Sequence, residues 1–155
     1  MNKEFKVFST DTIQYVSFHD CNCLRLYYTD EKLVFEMEWM EVLAEHPMNP
    51  YEQAHQSGEG KVVLQSPVLS RCELYRENED KFEVYLLENI DFCDVELLQV
   101  EETESNGMFT LKIYLSFNNN DEYDFASIEI EYKKSYVMWN ELRDLSWFED
   151  DKWKQ

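Results

Sequence analysis

Apolar and polar residues alternate along residues 109–117, and this period of two is the feature that most constrains the fold. Successive side chains of a strand point to opposite faces, so the pattern predicts a strand with one buried face and one solvated face. The preceding Asn106-Gly107 readily adopts the positive φ angles of a hairpin turn. The apolar positions are Phe109, Leu111, Ile113, Leu115 and Phe117.

The same alternation predicts further strands on both sides of this segment. Strands over about 95–101 and 126–132 would flank it in an antiparallel meander. Near the start of the chain, Leu24–Tyr28 and Leu33–Trp39 are joined by a short polar connection and predict another hairpin. Shorter strand candidates are 13–18, 61–65, 72–75 and 82–86.

The period changes after residue 134. Met138, Leu142 and Leu145 are spaced as on one face of a helix, and Ser135 stands where a helix cap is expected. We therefore predict an amphipathic helix over 136–147 that packs on the sheet. The predicted fold class is α+β, mostly β: an antiparallel meander sheet with this C-terminal helix packed on it.

A weak repeat links the two hairpins. One constant shift in residue number, which we call the repeat offset, carries Phe18 onto Phe92 and Asp20 onto Asp94. The same shift superposes several later apolar positions. The chain is thus a candidate for two similar hairpin units, although alternating strands also match by chance.

Length and composition indicate a single globular domain over residues 1–155. The first residues lack the apolar run of a secretory signal, and no stretch is apolar enough to cross a membrane. The four cysteines are too few for a disulfide-stabilised scaffold, so we expect reduced thiols and a cytoplasmic location.

The formal net charge is −19, from 33 acidic and 14 basic residues, on a chain that is 44% hydrophobic. Such a surface repels nucleic acids and anionic lipids and attracts basic proteins. We expect acidic ladders on the outward strand faces, Glu36 with Glu38 and Glu129 with Glu131, unless basic residues lie opposite. Lys112, Lys133 and Lys134 are candidates to compensate the second ladder.

Residues 45–60 depart most from the strand pattern. They contain two of the three histidines, two of the three prolines and two of the three glycines of the chain. Long loops on a rigid sheet often carry function, so His46, Tyr51 and Glu52 join the four ladder acids as candidate partner-binding residues. The alternative is a purely structural crossover.

His19, Cys21 and Cys23 form the most suggestive cluster for chemistry. On an extended strand the three side chains would share one face and offer a partial zinc shell, but no fourth ligand is evident. His19 and Asp20 would point to opposite faces, which argues against an acid–base pair. We expect neither an enzyme nor a bound cofactor.

Phe18-His19-Asp20 before an amphipathic hairpin, the strand bearing Trp39, and the His46-Pro47 loop together resemble small bacterial immunity proteins of polymorphic toxin systems. The resemblance covers the first third of the chain. It implies a cytoplasmic single-domain protein that binds a cognate toxin domain and blocks it. No contact residue is carried over from it.

Two functions remain open at this point. The first is an immunity-type inhibitor whose carboxylates meet a basic toxin domain, which agrees with the charge. The second is a small-ligand or metal-binding domain that uses the loop over 45–60 and the His19/Cys21/Cys23 face.

Overall fold

The computed structural model describes residues 5–76, 82–119 and 122–149. Within these ranges, regular structure consists of β-strands and three short 3-10 helices, Ile13–Tyr15, Leu87–Asn89 and Trp147–Glu149. The strands are β1 Val7–Thr10, β2 Val16–Ser17, β3 Cys21–Thr29, β4 Lys32–Met37, β5 Glu41–Val42, β6 His55–Ser57, β7 Gly60–Gln65, β8 Val68–Arg76, β9 Phe82–Val84, β10 Asp91–Ser105, β11 Met108–Asn119, β12 Glu122–Tyr132, β13 Lys134–Trp139 and β14 Leu142–Leu145.

The strands form two antiparallel sheets. The large sheet has ten strands in the order β1-β13-β7-β4-β3-β10-β11-β12-β8-β9, and the small sheet has four in the order β14-β6-β5-β2. The hairpin turns after β3 and β10 each place two residues at positive φ, Asp30 with Glu31 and Asn106 with Gly107. The antiparallel β architecture predicted from the alternation is therefore confirmed.

The predicted C-terminal helix is wrong, and so is the α+β class. The described residues contain no helix of seven residues or more, and residues 134–139 form β13 between β1 and β7. Ser135, the expected cap, is fully buried in this strand, as are Val137 and Trp139. Their alternation with Tyr136 and Met138 is a strand period, and two neighbouring strands supply the backbone hydrogen bonds that a helix would have made internally. The helix-like spacing of Met138, Leu142 and Leu145 spans two separate strands.

One continuous core lies on the inner face of the large sheet. The segment from Ile13 to Phe18, which was predicted as a strand, begins as a 3-10 helix and covers part of this face. Val16 and Val42 of the small sheet join the same cluster, and Ile90 covers the face near β3. The small sheet and two chain segments thus take the covering role that a helix was expected to fill.

The repeat offset coincides with matching backbone features. Phe18 and Phe92 are both buried, and Asp20 and Asp94 both adopt positive φ angles, of 60° and 51°. A common origin of the two units stays a prediction, but the structural match is independent of the residue types.

A second match lies in the bulges of the two hairpins. One extra residue, Leu24, interrupts the pairing of β3 with β4, and Leu98 interrupts that of β10 with β11 in the same way. Asn22 pairs with Glu96 between β3 and β10, and the same repeat offset relates these two residues. A local two-fold axis at this pair therefore relates the two hairpins.

Gly60 lies where two strands and a side chain approach closely. A Cβ atom on Gly60 would clash with Met40 Cε and would lie 2.7 Å from the Met138 carbonyl oxygen. We expect Gly60→Ala to lower the free energy of unfolding by about 1–3 kcal/mol, measured by urea denaturation, because the backbone oxygen cannot move away freely.

Gly58→Ala is the matched control for that substitution. A Cβ atom there would meet only the guanidinium group of Arg143, at 2.6 Å, and this flexible side chain can swing aside. We expect a change below about 0.5 kcal/mol. Equal losses in the two variants would contradict the close backbone approach at Gly60.

Candidate functional site

Glu36 does not contribute to an uncompensated acidic ladder. In the sheet it lies between Arg25 of β3 and Lys61 of β7, each directly opposite in register. The Tyr27 hydroxyl donates a hydrogen bond to its Oε1 atom at 3.0 Å. The strand order thus brings cations from distant parts of the sequence opposite this carboxylate, and the Arg25 guanidinium itself pairs with Asp91 at 2.9 Å.

Glu129 also has basic residues opposite it in register. It lies opposite Lys112 of β11, as expected, and opposite Arg71 of β8 on its other side. Glu131 instead faces Thr110 and Val68 and has no cation directly across from it. Basic residues therefore interrupt the acidic ladders at Glu36 and Glu129 but not at Glu131.

Part of the excess negative charge lies around the small sheet. Residues 38–59 and 140–149 contain eight acidic residues and a single basic one, Arg143, which gives a net charge of −7 with His neutral. We call these two segments the acidic–aromatic surface. The acids are Glu38, Glu41, Glu45, Glu52, Glu59, Glu141, Asp144 and Glu149.

The same surface exposes large apolar side chains. Met48, Tyr51, Leu145 and Trp147 are each between 44% and 49% exposed. Exposed aromatic and aliphatic groups amid charge are typical of protein-binding surfaces. The surface thus contains Tyr51 and Glu52, the two exposed residues selected from the 45–60 loop.

His55 connects the two segments of the surface. The Tyr51 ring stacks on the His55 ring with centroids 4.1 Å apart. The His55 Nδ1–H donates to the Arg143 carbonyl oxygen at 2.8 Å, and Leu145 lies opposite His55 in register. Tyr51 is therefore held in one orientation against β6 and β14.

A buried carboxylate fixes the C-terminal segment to the body. Glu41 is 1% exposed and accepts hydrogen bonds from Gln56 Nε2 at 2.9 Å and from Ser146 Oγ at 2.6 Å. The Ser146 backbone N–H also donates to the Ala54 carbonyl oxygen at 3.0 Å. These bonds position Leu145 and Trp147, which flank Ser146 in the chain.

Glu38 borders a recess beside this surface. The recess has a volume of about 340 Å³ and is also lined by Glu59, Glu141 and Arg143. Glu38 itself accepts a hydrogen bond from Asn22 Nδ2. Of the four ladder acids, it alone lies in the acidic–aromatic surface.

His46 lies beneath the surface rather than on it. It is 2% exposed, and its ring packs edge-on against Trp139 with centroids 4.9 Å apart. The Met48 N–H donates to Nδ1 at 3.0 Å, so Nε2–H donates to Thr12 Oγ1 at 3.1 Å. Burial lowers the pKa of His46 to about 4. This histidine holds the loop over 45–60 in place from inside and cannot contact a partner directly.

The proposed metal-binding face is not formed. Cys21 and Cys23 are fully buried, and their thiols donate to the Ser17 and Arg25 carbonyl oxygens. Burial raises the pKa of both thiols to about 12, which disfavours the thiolate that zinc requires. Among the described residues, no group of three or more His, Cys, Asp or Glu side chains is placed to hold a metal ion.

His19 lies outside the core, in the turn before β3. Its Nδ1–H donates to the Leu98 carbonyl oxygen at 2.9 Å, and its Nε2 lies 3.3 Å from Asp20 Oδ2. The expectation that His19 and Asp20 point apart is wrong, because Asp20 adopts a positive φ and the two residues form a turn rather than a strand. Both side chains are more than half exposed, so the pair has no enclosed pocket around it.

The chain matches no protein-family model, and neither a curated protein nor a solved structure is significantly similar to it. No helix in the described ranges is long and apolar enough to span a membrane.

The buried His46 predicts a pH-dependent stability. Its pKa is lowered from 6.5 to about 4 on folding, so the unfolded chain binds more protons between these pH values and stability falls as the pH drops. The matched variant is His46→Asn, which retains an acceptor for the Met48 N–H. Between pH 7 and pH 4, the free energy of unfolding of the wild type should fall by about 3 kcal/mol more than that of this variant. Urea denaturation at both pH values measures this difference. An unchanged difference would contradict the buried neutral histidine.

Ser146→Ala tests the anchor of the C-terminal segment. Removal of the hydroxyl leaves the buried Glu41 carboxylate with one donor fewer, so we expect a loss of about 1–3 kcal/mol in the free energy of unfolding. Ser127→Ala, on the outward face of β12, is the control and should cost less than about 0.5 kcal/mol. Similar losses in the two variants would show that the Glu41–Ser146 bond does not stabilise the fold.

Proposed function

We propose that this chain is a non-enzymatic binding protein whose acidic–aromatic surface docks on a basic protein, in the manner of an immunity-type inhibitor on a toxin domain. One observation carries the proposal: seven acids outside the core, one base and four exposed large apolar side chains share residues 38–59 and 140–149, while an eighth acid, Glu41, is buried there.

The negative charge of this surface favours a basic partner. Glu36 and Glu129 have basic residues opposite them in register, whereas the segments around the small sheet contribute only Arg143 against seven acids outside the core. A concentrated field of one sign raises the encounter rate with an oppositely charged protein. A basic surface would therefore be attracted to this side of the molecule.

The aromatic groups provide short-range affinity. Tyr and Trp are the residues most often found to dominate binding energy, particularly where water is excluded around them. Tyr51 is already ordered by its stack on His55, and Trp147 follows the Ser146 anchor. Both rings lose little conformational freedom on binding, so more of the contact energy appears as affinity.

An inhibitory role follows from the class of partner that such a surface fits. A toxin domain that cleaves or modifies nucleic acid needs a basic cleft to bind phosphates. An acidic protein that covers the cleft would exclude the substrate without any chemistry of its own. In this proposal the protein acts in the cytoplasm, where it protects the cell that makes it.

The test takes a basic, nucleic-acid-cleaving toxin domain as the candidate partner, purified and titrated by calorimetry. We expect its dissociation constant to rise at least tenfold between about 50 and 200 mM NaCl, because several ion pairs are screened. Tyr51→Ala and Trp147→Ala should each weaken binding by tenfold or more, and Glu52→Gln by a smaller factor. Co-expression should relieve the toxicity of that protein.

Matched controls separate the docking surface from the rest of the molecule. Phe8→Ala removes an aromatic ring that is 56% exposed elsewhere, and Glu36→Gln removes a compensated carboxylate. Both variants should bind within about twofold of wild type. Binding that is insensitive to salt, or equal losses in the control variants, would exclude docking through the acidic–aromatic surface.

A further inference from the structure

A second surface lies on the outward face of β10, β11, β12 and β8. Across these strands, Glu101, Lys112, Glu129 and Arg71 stand in one register row. Their charges alternate in sign from one strand to the next. The four side chains border a shallow recess of about 330 Å³ that lies on this face.

We propose that this face packs on the same face of a second copy of the chain, about a two-fold axis that runs along the strands between β11 and β12. Such an axis reverses the order of the row. Glu101 of one copy then faces Arg71 of the other, and Lys112 faces Glu129. Sheets pack face to face about 10 Å apart, a gap that long side chains of this type span from both sides.

The neighbouring row fits the same axis. It consists of Gln99, Tyr114, Ser127 and Glu73 in the same strand order. After reversal, Gln99 faces Glu73 and Tyr114 faces Ser127 of the second copy. Each contact joins groups that can exchange a hydrogen bond, and Tyr114, 42% exposed, supplies apolar area near the axis.

The remaining carboxylates of the face also avoid one another. Glu96 shares a row with Tyr75, and the axis places these two opposite each other. Glu131 is opposite Thr110 of the second copy for the same reason. No register row of this face therefore brings two carboxylates together, which matters for a protein with a net charge of −19.

Other occupants fit the face less well. A basic protein would meet Arg71 and Lys112, and an acidic one would meet Glu101 and Glu129, whereas the reversed row satisfies all four groups. A two-fold axis perpendicular to the strands would oppose Glu101 to Glu101. Only the axis along the strands is self-complementary.

The dimensions of the face set the expected strength. Four strands about 4.8 Å apart and four rows about 7 Å apart cover roughly 540 Å² per copy. The two copies together would bury about 1,100 Å², which is small for a stable complex and typical of a weak one. We expect a dissociation constant on the order of 100 μM at about 0.15 M NaCl.

Sedimentation velocity between about 10 μM and 1 mM protein tests the proposal. The wild type should shift from monomer to dimer over this range. Lys112→Glu and Glu129→Lys should each raise the dissociation constant at least tenfold, because two-fold symmetry places like charges together twice. Glu129→Lys brings the net charge closer to zero, so a mere relief of overall repulsion would strengthen association instead.

An equimolar mixture of the two variants gives the decisive result. In the mixed dimer, the new Glu at position 112 of one copy faces the new Lys at position 129 of the other, and Glu129 of the first copy faces Lys112 of the second. Glu101 and Arg71 still face each other at both ends of the row. The mixture should therefore associate with wild-type strength. Circular dichroism melts verify that both variants fold. A monomeric wild type at the highest concentration, a stronger Glu129→Lys dimer or a mixture that stays monomeric would each overturn the proposal.

Dimerisation and binding of the basic partner can be tested independently by mutation. Glu52→Lys changes the charge by the same amount on the acidic–aromatic surface and should leave the dimer unaffected while it weakens partner binding. The two dimer variants should bind the basic partner as the wild type does. Dimerisation that responds to Glu52→Lys as strongly as to Glu129→Lys would place the contact elsewhere and overturn the proposed face.

Discussion

The antiparallel pairing of β3 with β10 fixes the positions of most other strands in the large sheet. Each of these two strands carries its own hairpin partner on its far side, β4 next to β3 and β11 next to β10. Their register sets which residues of distant segments lie side by side, since a slip by one residue would turn every buried side chain outward. The matching bulges at Leu24 and Leu98 restore the inward direction of the residues that follow them.

Much of the sheet could be predicted from local pattern, because alternation and turn chemistry are local properties. The segment from Phe109 to Phe117 lies in β11, and Asn106-Gly107 forms its turn. The helix over 136–147 could not be excluded in this way. Val137 and Trp139 face the core only because β13 pairs with β1 and β7 on its two sides, and these two strands are distant in sequence.

The candidate site was only partly predictable for the same reason. Tyr51 and Glu52 could be selected because they stand in an unusual loop. The placement of Arg71 opposite Glu129 could not be foreseen, since the two residues are far apart in sequence and only the register of β8 with β12 brings them together. The hydrogen bond between Glu41 and Ser146 could not be predicted from the sequence. A side-chain hydrogen bond between two distant residues produces no repeating pattern of residue types. Burial of the hydroxyl at position 146 is likewise a tertiary property.

The Glu41–Ser146 bond has a consequence for when the acidic–aromatic surface first exists. The two residues of this bond are separated by 105 positions in the chain. Tyr51 stacks on His55, which donates a hydrogen bond to the Arg143 carbonyl oxygen. During synthesis on the ribosome, the loop over 45–60 emerges long before the segment that completes it. A chain halted before residue 146 would already carry most of the core strands yet lack Trp147 and the anchor that positions it. The acidic–aromatic surface is thus incomplete until translation has passed this segment, whereas most of the large sheet can already have formed.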